Sequence, residues 1–161
     1  MSNADFFLKV EGVDGESTDD KHKGEIEIQS FTFGASNAAS FAHGSGGGVA
    51  KVALQDLHIT KSVDKSSAKL FTASCTGEHL KKATLVARKA GGDQHEYLTI
   101  VLSDVLVSNF TQGGHGGSGL PTDQVALAFS KIEFKYKEQK PDGSLGGEVI
   151  GGWDQKLNKK V

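Results

Sequence analysis

Residues 96–110, EYLTIVLSDVLVSNF, and residues 124–136, QVALAFSKIEFKY, decide the fold of this chain of 161 residues. In both stretches apolar side chains recur at every second position, which is typical of a β-strand with one buried face. Each alternation shifts by one residue half-way along, at Ser103-Asp104 and at Ser130-Lys131. Since such a shift moves the later side chains to the opposite face of a straight strand, a simple one-sided sheet does not account for these two strands.

The same shift occurs in two further stretches, at Gln29-Ser30 and at Gln55-Asp56. A β-bulge could bend each strand and keep one face directed inward. Alternatively, the second half of each strand could bury its opposite face against a helix or another subunit. Both alternatives fit a mainly β fold, a small closed β-barrel of long, bent antiparallel strands.

The remaining pattern completes the predicted fold. Strands are expected at residues 5–12, 25–34, 49–63, 80–90, 96–110, 124–136 and 148–153. Residues 64–77 instead predict one flanking α-helix, which Asp64 or Ser66 could cap and which Gly77 would end. Its apolar stripe includes Cys75, so we expect that thiol to be buried.

Composition excludes several classes of protein. The chain carries 18 Lys and Arg against 20 Asp and Glu, a net charge of −2, whereas nucleic-acid-binding domains and polybasic membrane anchors are strongly basic. The length predicts a single domain over residues 1–161. Because Cys75 is the only cysteine, an internal disulfide and a four-cysteine zinc site are excluded.

The N-terminal residues 1–10 do not have the pattern of a secretory signal, since a basic start and a long apolar stretch are both missing. No stretch reaches the roughly 18 apolar residues that a membrane-spanning helix needs. We therefore expect synthesis in the cytoplasm without a cleaved signal peptide. Export would then need a route that does not depend on one.

Two glycine-rich segments resemble nucleotide-binding motifs only superficially. Residues 114–119, GHGGSG, match the spacing G-x-G-x-x-G, but a strand follows them where the dinucleotide motif requires a helix. Residues 44–48, GSGGG, do not have the Lys-Ser/Thr pair of a phosphate-binding loop. Both segments are predicted to be loops.

The histidines and carboxylates do not form a recognisable metal or catalytic motif. Asp19, Asp20 and His22 are clustered, and Asp56 and His58 share one face of a strand, but zinc needs three or four converging ligands. We expect surface or interface roles for these histidines. We expect no cofactor, no metal and no enzymatic activity, and a packing role in the core or an interface for the single tryptophan, Trp153.

Several short segments, taken together and in order, resemble one family, the haemolysin-coregulated proteins (Hcp) of bacterial type VI secretion. The match runs from about residue 5 to residue 160. Its segments are FLKVEG at 7–12, GES at 15–17, KHKGEI at 21–26, QDLH at 55–58, DKS at 64–66, RKAG at 88–91, EYL at 96–98, DVLVS at 104–108, QKPDG at 139–143 and GWD at 152–154.

The resemblance implies a β-barrel with one flanking helix that assembles into homo-hexamers. Rings of this family stack into the inner tube that a contractile sheath drives into a target cell, and the protein is itself secreted through the type VI apparatus. The implied partners are further copies of the chain, a VgrG-like spike protein and sheath or baseplate proteins. An alternative or additional role is that of a lumenal carrier or chaperone for small secreted effectors.

Two sets of residues are candidates for these contacts. The connection between the second and third predicted strands, residues 35–49, is longer than an ordinary hairpin loop. It is predicted to be an extended assembly loop, through Phe41, His43, Gly44, Gly46, Gly47 and Gly48; a solvent-exposed loop without contacts is the alternative. Thr32 points away from the aromatic residues on either side of it, and His115 stands in a glycine loop, so both are candidates for a lumen that contacts cargo.

Overall fold

The computed structural model describes residues 4–38, 51–90, 94–117 and 119–161. These residues form a mainly β structure with one helix, as the sequence predicts. The elements in chain order are β1 Ala4–Val10, β2 Ile26–Ile28, β3 Ser30–Thr32, β4 Ala35–Ser36, β5 Ala53–Leu54, β6 Leu57–Ser62, α1 Ser66–Thr76, β7 Leu80–Lys89, β8 Glu96–Gly113, β9 Thr122–Gln139, β10 Leu145–Asp154 and β11 Lys159–Lys160. None of the described helical residues belongs to a helix long and apolar enough to cross a membrane.

A long antiparallel hairpin, β8–β9, forms the centre of the sheet. On one side β8 pairs with β7, β7 with β1, and β1 with β2. On the other side β9 pairs along its first half with β6 and along its second half with β10. Strand β6 also pairs with β3, while β4 and β5 pair with each other.

The two central strands bend together at the predicted positions. Leu102 lies opposite Ile132 and Val105 lies opposite Phe129, so the register is the same on both sides of the shift. These four side chains all belong to one hydrophobic core. The bend therefore keeps one face of each strand directed toward the core, as the first of the two alternatives predicts. The strand pairing, however, contains no bulge at this position. A register shift, typical of a bulge, occurs further on, between residues 107 and 109.

Asp104 and Ser130 make this shared bend possible. Asp104 adopts a φ of 53°, in the left-handed region that few residues other than glycine occupy. The Ser130 hydroxyl donates to Asp104 Oδ2 at 2.8 Å and also lies 3.1 Å from the Ser103 carbonyl oxygen. The hydroxyl thus stabilises both strands where their alternation changes.

The other two shifts are breaks between strands. The single residue Gln29 separates β2 from β3, and Gln55 and Asp56 separate β5 from β6. The Gln29 backbone N–H donates to the Thr60 carbonyl at 2.7 Å. The chain therefore passes at Gln29 from pairing with β1 to pairing with β6.

Helix α1 covers one end of the core with Leu70 and Ala73, which are both fully buried. The Ser66 backbone N–H donates to Asp64 Oδ1 at 2.8 Å, so Asp64 is the capping side chain. Gly77 ends the helix with a φ of 70°, and its N–H donates to the Ala73 carbonyl at 3.0 Å.

The prediction of a buried Cys75 is wrong, because this residue is exposed. The buried stripe of the helix is formed by Ser66, Ser67, Leu70 and Ala73. Cys75 lies two residues beyond Ala73, roughly 200° around the helix axis. The sequence pattern was misleading here because small polar serines, rather than apolar residues, fill the start of the buried stripe.

Candidate assembly surfaces

The two candidate lumen residues, Thr32 and His115, are exposed but lie at different positions along the strands. Thr32 ends β3 opposite His58, which in turn pairs with Ala126 of β9. His115 follows the end of β8 and borders a cleft of about 370 Å³ between β8 and β9. The structure thus does not bring Thr32 and His115 together in one copy of the chain, and their role in a lumen stays a prediction.

The base of the predicted assembly loop is ordered by a short ladder. Ala35 pairs with Leu54 and Ser36 pairs with Ala53, and Leu54 packs against the core. The candidate loop residues themselves lie outside the described residues: Phe41, His43, Gly44, Gly46, Gly47 and Gly48. Their assembly role therefore remains a prediction.

His22 is buried, so of the two roles expected for it, at the surface or at an interface, the surface role is wrong. Only 5% of its surface is exposed, and its ring stacks on Phe7 with 4.4 Å between ring centroids. Nδ1 lies 3.0 Å from Glu25 Oε1 and Nε2 lies 2.7 Å from Glu96 Oε1. The segment 11–24 thus folds back over the outer face of β1, where His22 joins it to the start of β8.

Asp19 belongs to the same segment, residues 11–24, and binds Arg88, which is almost fully buried. The guanidinium makes two hydrogen bonds to the Asp19 carboxylate and lies 4.7 Å from the centroid of the Phe7 ring. The hydrogen bonds from Arg88 lower the pKa of Asp19 from 3.8 to about 2. As a carboxylate, Asp19 therefore fastens the segment 11–24 to Arg88 of β7, and its role is structural.

A second buried ion pair, Lys61–Asp123, fixes helix α1 to the sheet. Both side chains are fully buried, with Lys61 Nζ 2.9 Å from Asp123 Oδ2 and 2.8 Å from Asp64 Oδ1. The Ser67 hydroxyl accepts from Lys61 at 3.0 Å and donates to Asp123. Burial alone would raise the pKa of Asp123, but hydrogen bonds from Ser67, Gln112 and Lys61 outweigh it and lower the pKa.

The sequence contained a signal for this pair. Leu57 and Ile59 are inward-facing residues of β6, and Lys61 continues their alternation by two. A lysine at an inward position needs a buried carboxylate as its partner, because an unpaired charge in a core is strongly unfavourable. The pattern could not, however, identify that partner as Asp123, which is 62 residues away along the chain.

Among the described residues, no three or more His, Cys, Asp or Glu side chains converge as they would to hold a metal ion. Asp56 accepts a hydrogen bond from the Ser108 hydroxyl, and His58 is exposed on β6. The chain enters β9 after the glycine-rich segment 114–119, so this segment does not open a helix there. Trp153 packs partly buried against the core.

The core face of the sheet continues beyond the core as an exposed apolar surface. Phe134 lies opposite the fully buried Ile100, and Tyr136 lies beside Val149 on the same face. The exposed fractions increase outward from Phe134 at 38% through Tyr136 at 43% to Val149 at 69%. Apolar side chains at these positions are unusual on the surface of a monomer and are typical of an interaction surface.

We call residues 133–137 of β9 together with residues 145–152 of β10 the β9–β10 flange. Its outer edge is formed by β10, which pairs with β11 only at Trp153 and Asp154. The Gly152 carbonyl accepts a hydrogen bond from the Val161 N–H at 3.2 Å. Along the rest of β10, the backbone groups on that edge have no strand partner among the described residues. Such an edge can accept a strand from another molecule.

Comparison with known proteins gives the same family from the sequence and from the fold. Residues 7–136 match the family model described as "Type VI secretion system effector, Hcp". The chain is 44% identical over 156 residues to Protein hcp1 of Pseudomonas aeruginosa, a match that covers 96% of each protein. The structure is similar to the crystal structure of Hcp1 from Salmonella typhimurium, with a TM-score of 0.82 and 34% identity over 99% of each chain. A second solved structure, described as "Structure of a type six secretion system protein", gives a TM-score of 0.92 and 33% identity over 98% of this chain and 99% of that one.

Proposed function

Because the chain belongs to the Hcp family of type VI secretion proteins, we propose that it assembles into hexameric rings that stack into the inner tube of the secretion apparatus. The observation that carries this proposal is the β9–β10 flange, where apolar side chains are exposed and an edge has no strand partner among the described residues. A second copy would cover both. A ring follows when the contact joins two different surfaces and closes on itself.

We also propose that the sheet is closed into a barrel within each subunit. The strand pairs lead from β6 through β9, β8, β7 and β1 to β2. At Gln29 the chain continues from β2 into β3, which pairs with β6 again. A closed sheet has no free edges in its wall, so β10, which pairs outside this circuit, would be the edge left for assembly.

We propose no enzymatic role for the chain; its partners would be further copies of itself, a VgrG-like spike and sheath or baseplate proteins. It would be made in the bacterial cytoplasm and leave through the apparatus to which it belongs. A lumenal carrier role for small effectors, through Thr32 and His115, is compatible with the ring. Exchange of either residue for a bulky charged one should reduce retention of a cognate effector in intact rings, and unchanged retention would argue against this role.

Electron microscopy of the purified chain tests the ring directly. We expect ring-shaped particles with an open centre, and end-to-end stacks at higher concentration. Fields that contain only compact monomers or dimers at micromolar concentration would contradict the proposal.

A further inference from the structure

We propose that residues 15–24, which we call the strap, open and close as a unit over the outer face of β1 and so control access to Phe7 and Arg88. The strap belongs to the segment 11–24, and its two ends adjoin, because the Gly15 N–H donates to the Gly24 carbonyl at 2.8 Å. A loop whose ends adjoin can swing without displacing the strands that it connects. This inference goes beyond the proposed ring and does not depend on it.

The base of the strap is formed by two positions that require glycine. Gly24 has a φ of 77°, in the left-handed region. A Cβ atom on Gly15 would lie 2.4 Å from the Glu25 carbonyl oxygen, which is closer than a side chain can approach. The residues between these two glycines belong to no strand or helix. The base is therefore fixed, while the loop above it has no regular structure of its own.

Polar groups, rather than apolar side chains, hold the strap closed. Residues 16–23, ESTDDKHK, include no aliphatic side chain, and none of them belongs to the hydrophobic core. Segments with few buried apolar contacts open at a lower free energy than the core of a protein. We therefore expect the strap to open while the sheet stays folded.

Three contacts fasten the closed strap to other elements. Asp19 accepts from both terminal nitrogens of Arg88 on β7, His22 Nε2 lies 2.7 Å from Glu96 Oε1 at the start of β8, and Glu16 Oε2 accepts the Lys65 N–H at 2.6 Å beside the start of α1. Each contact joins one strap residue to a different element. Loss of any one contact should therefore favour the open form.

The closed strap accounts for the burial of Phe7 and Arg88. Phe7 is 4% exposed although it is not part of the hydrophobic core, and the His22 ring stacks on it at 4.4 Å. Arg88 is 2% exposed and lies 4.7 Å from the centroid of the Phe7 ring. Opening of the strap would thus expose an aromatic ring beside a guanidinium group.

Arg88 also gives the closed form a cost that opening removes. Its Nε is a buried donor without an acceptor among the described residues, since Asp19 binds the two terminal nitrogens. A buried donor that makes no hydrogen bond is unfavourable, and water can bond to it once the strap opens. Thr18 and Asp19 also form one wall of a cleft of about 540 Å³ beside β1 and β2, which opening would widen.

Chemical labelling of Arg88 tests the opening, because Arg88 is the only arginine in the sequence. Phenylglyoxal reacts with accessible guanidinium groups, and intact-mass spectrometry measures the product. Asp19→Asn and His22→Gln each weaken one fastening contact and should accelerate labelling of the folded protein at least tenfold. Asp20→Asn and Lys23→Gln, at exposed neighbouring positions, are the matched controls and should be labelled at the wild-type rate.

His22→Gln is the decisive variant, because His22 has no hydrogen bond to Arg88. Faster labelling of this variant reports an open strap rather than the loss of the carboxylate beside the guanidinium. Labelling of His22→Gln at the wild-type rate would overturn the proposal.

Hydrogen exchange of the wild type shows whether the strap opens without the sheet. The Ser17 N–H donates to the Glu25 carbonyl and the Gly24 N–H donates to the Ser17 carbonyl. Both should exchange at least tenfold faster than the paired N–H groups of β8, at rates that low concentrations of urea hardly change. Equal exchange rates in the strap and in β8 would mean that only global unfolding exposes Arg88 and would overturn the proposal.

Discussion

Lys61 and Asp123 show how a single pair of residues can fix the position of a whole helix. Lys61 projects from β6, Asp123 lies near the start of β9, and Ser67 of α1 bonds to both. The Gln112 side chain on β8 donates to the remaining Asp123 oxygen at 2.7 Å. Three strands and the helix therefore meet at one buried, fully paired charge cluster, which is favourable only while all partners are present.

We predict that Asp123→Asn lowers the free energy of unfolding by about 1–3 kcal/mol, because Lys61 loses its fully buried charged partner and keeps only the Asp64 carboxylate. The double change Lys61→Met with Asp123→Leu should recover much of this loss, since neither charge is then buried. Urea denaturation measures both. Asp142→Asn, in an exposed turn, serves as the control and should change stability little. Equal stability of Asp123→Asn and this control would refute the role of the pair.

Asp19 gives a prediction on pH. Its pKa is about 2 in the folded protein against an ordinary value of 3.8, since Arg88 favours the carboxylate. A group with a lowered pKa stabilises the fold above its ordinary pKa, and that contribution is lost as the pH falls toward the folded value. The wild type should therefore lose stability between about pH 4 and pH 2 through this group. Asp19→Asn should show a smaller loss over this range in thermal melts, whereas the exposed neighbour Asp20 replaced by Asn should leave the wild-type slope unchanged.

At the scale of elements, periodicity predicted the helix and most of the strands, but residues 25–34 and 49–63, each predicted as one strand, are divided at Gln29 and at Gln55-Asp56, and the short strands β4 and β11 were not predicted. The shifts at Ser103-Asp104 and Ser130-Lys131 correctly indicated long, bent strands, and Gly77 correctly marked the end of the helix. The local sequence pattern could not show which residues, distant along the chain, would pack over a strand or a helix. His22 is buried because Glu96, 74 residues later, meets its ring, and Cys75 is exposed because two serines occupy the buried stripe.

The connection between β4 and β5 carries a prediction at the same scale. In the sequence Phe41 is followed by the glycine-rich residues 44–48, and since ordering glycine costs more entropy than ordering other residues, we expect a contact with another subunit to hold this side chain. Contact with a neighbouring subunit would bury Phe41 and contribute up to about 1.5–3 kcal/mol. Phe41→Asp, or deletion of residues 44–48, should leave monomer stability unchanged and weaken ring stacking and secretion. Sedimentation and electron microscopy would measure this, and wild-type-like stacking of both variants would mean that the loop only tethers two strands.

At the scale of the whole molecule, the described residues form a well-packed sheet and a flange whose apolar side chains they leave exposed. The core extends across β1, β2, β6, β7, β8 and β9 and is closed at one end by α1. The end of β9 and the part of β10 before Trp153 continue past it with Tyr136, Val149 and Ile150 exposed. The family was recognisable from the sequence, but the flange was not, since its apolar residues have the same alternation as those in the core.

Native mass spectrometry of the wild-type chain at micromolar concentration tests the central claim most directly. A ring of six copies predicts one dominant species at six times the chain mass of 17.0 kDa, which at higher concentration is joined by whole-number multiples from stacked rings. A spectrum dominated by the single chain, or by a dimer, would contradict the account of the flange as a surface for ring assembly.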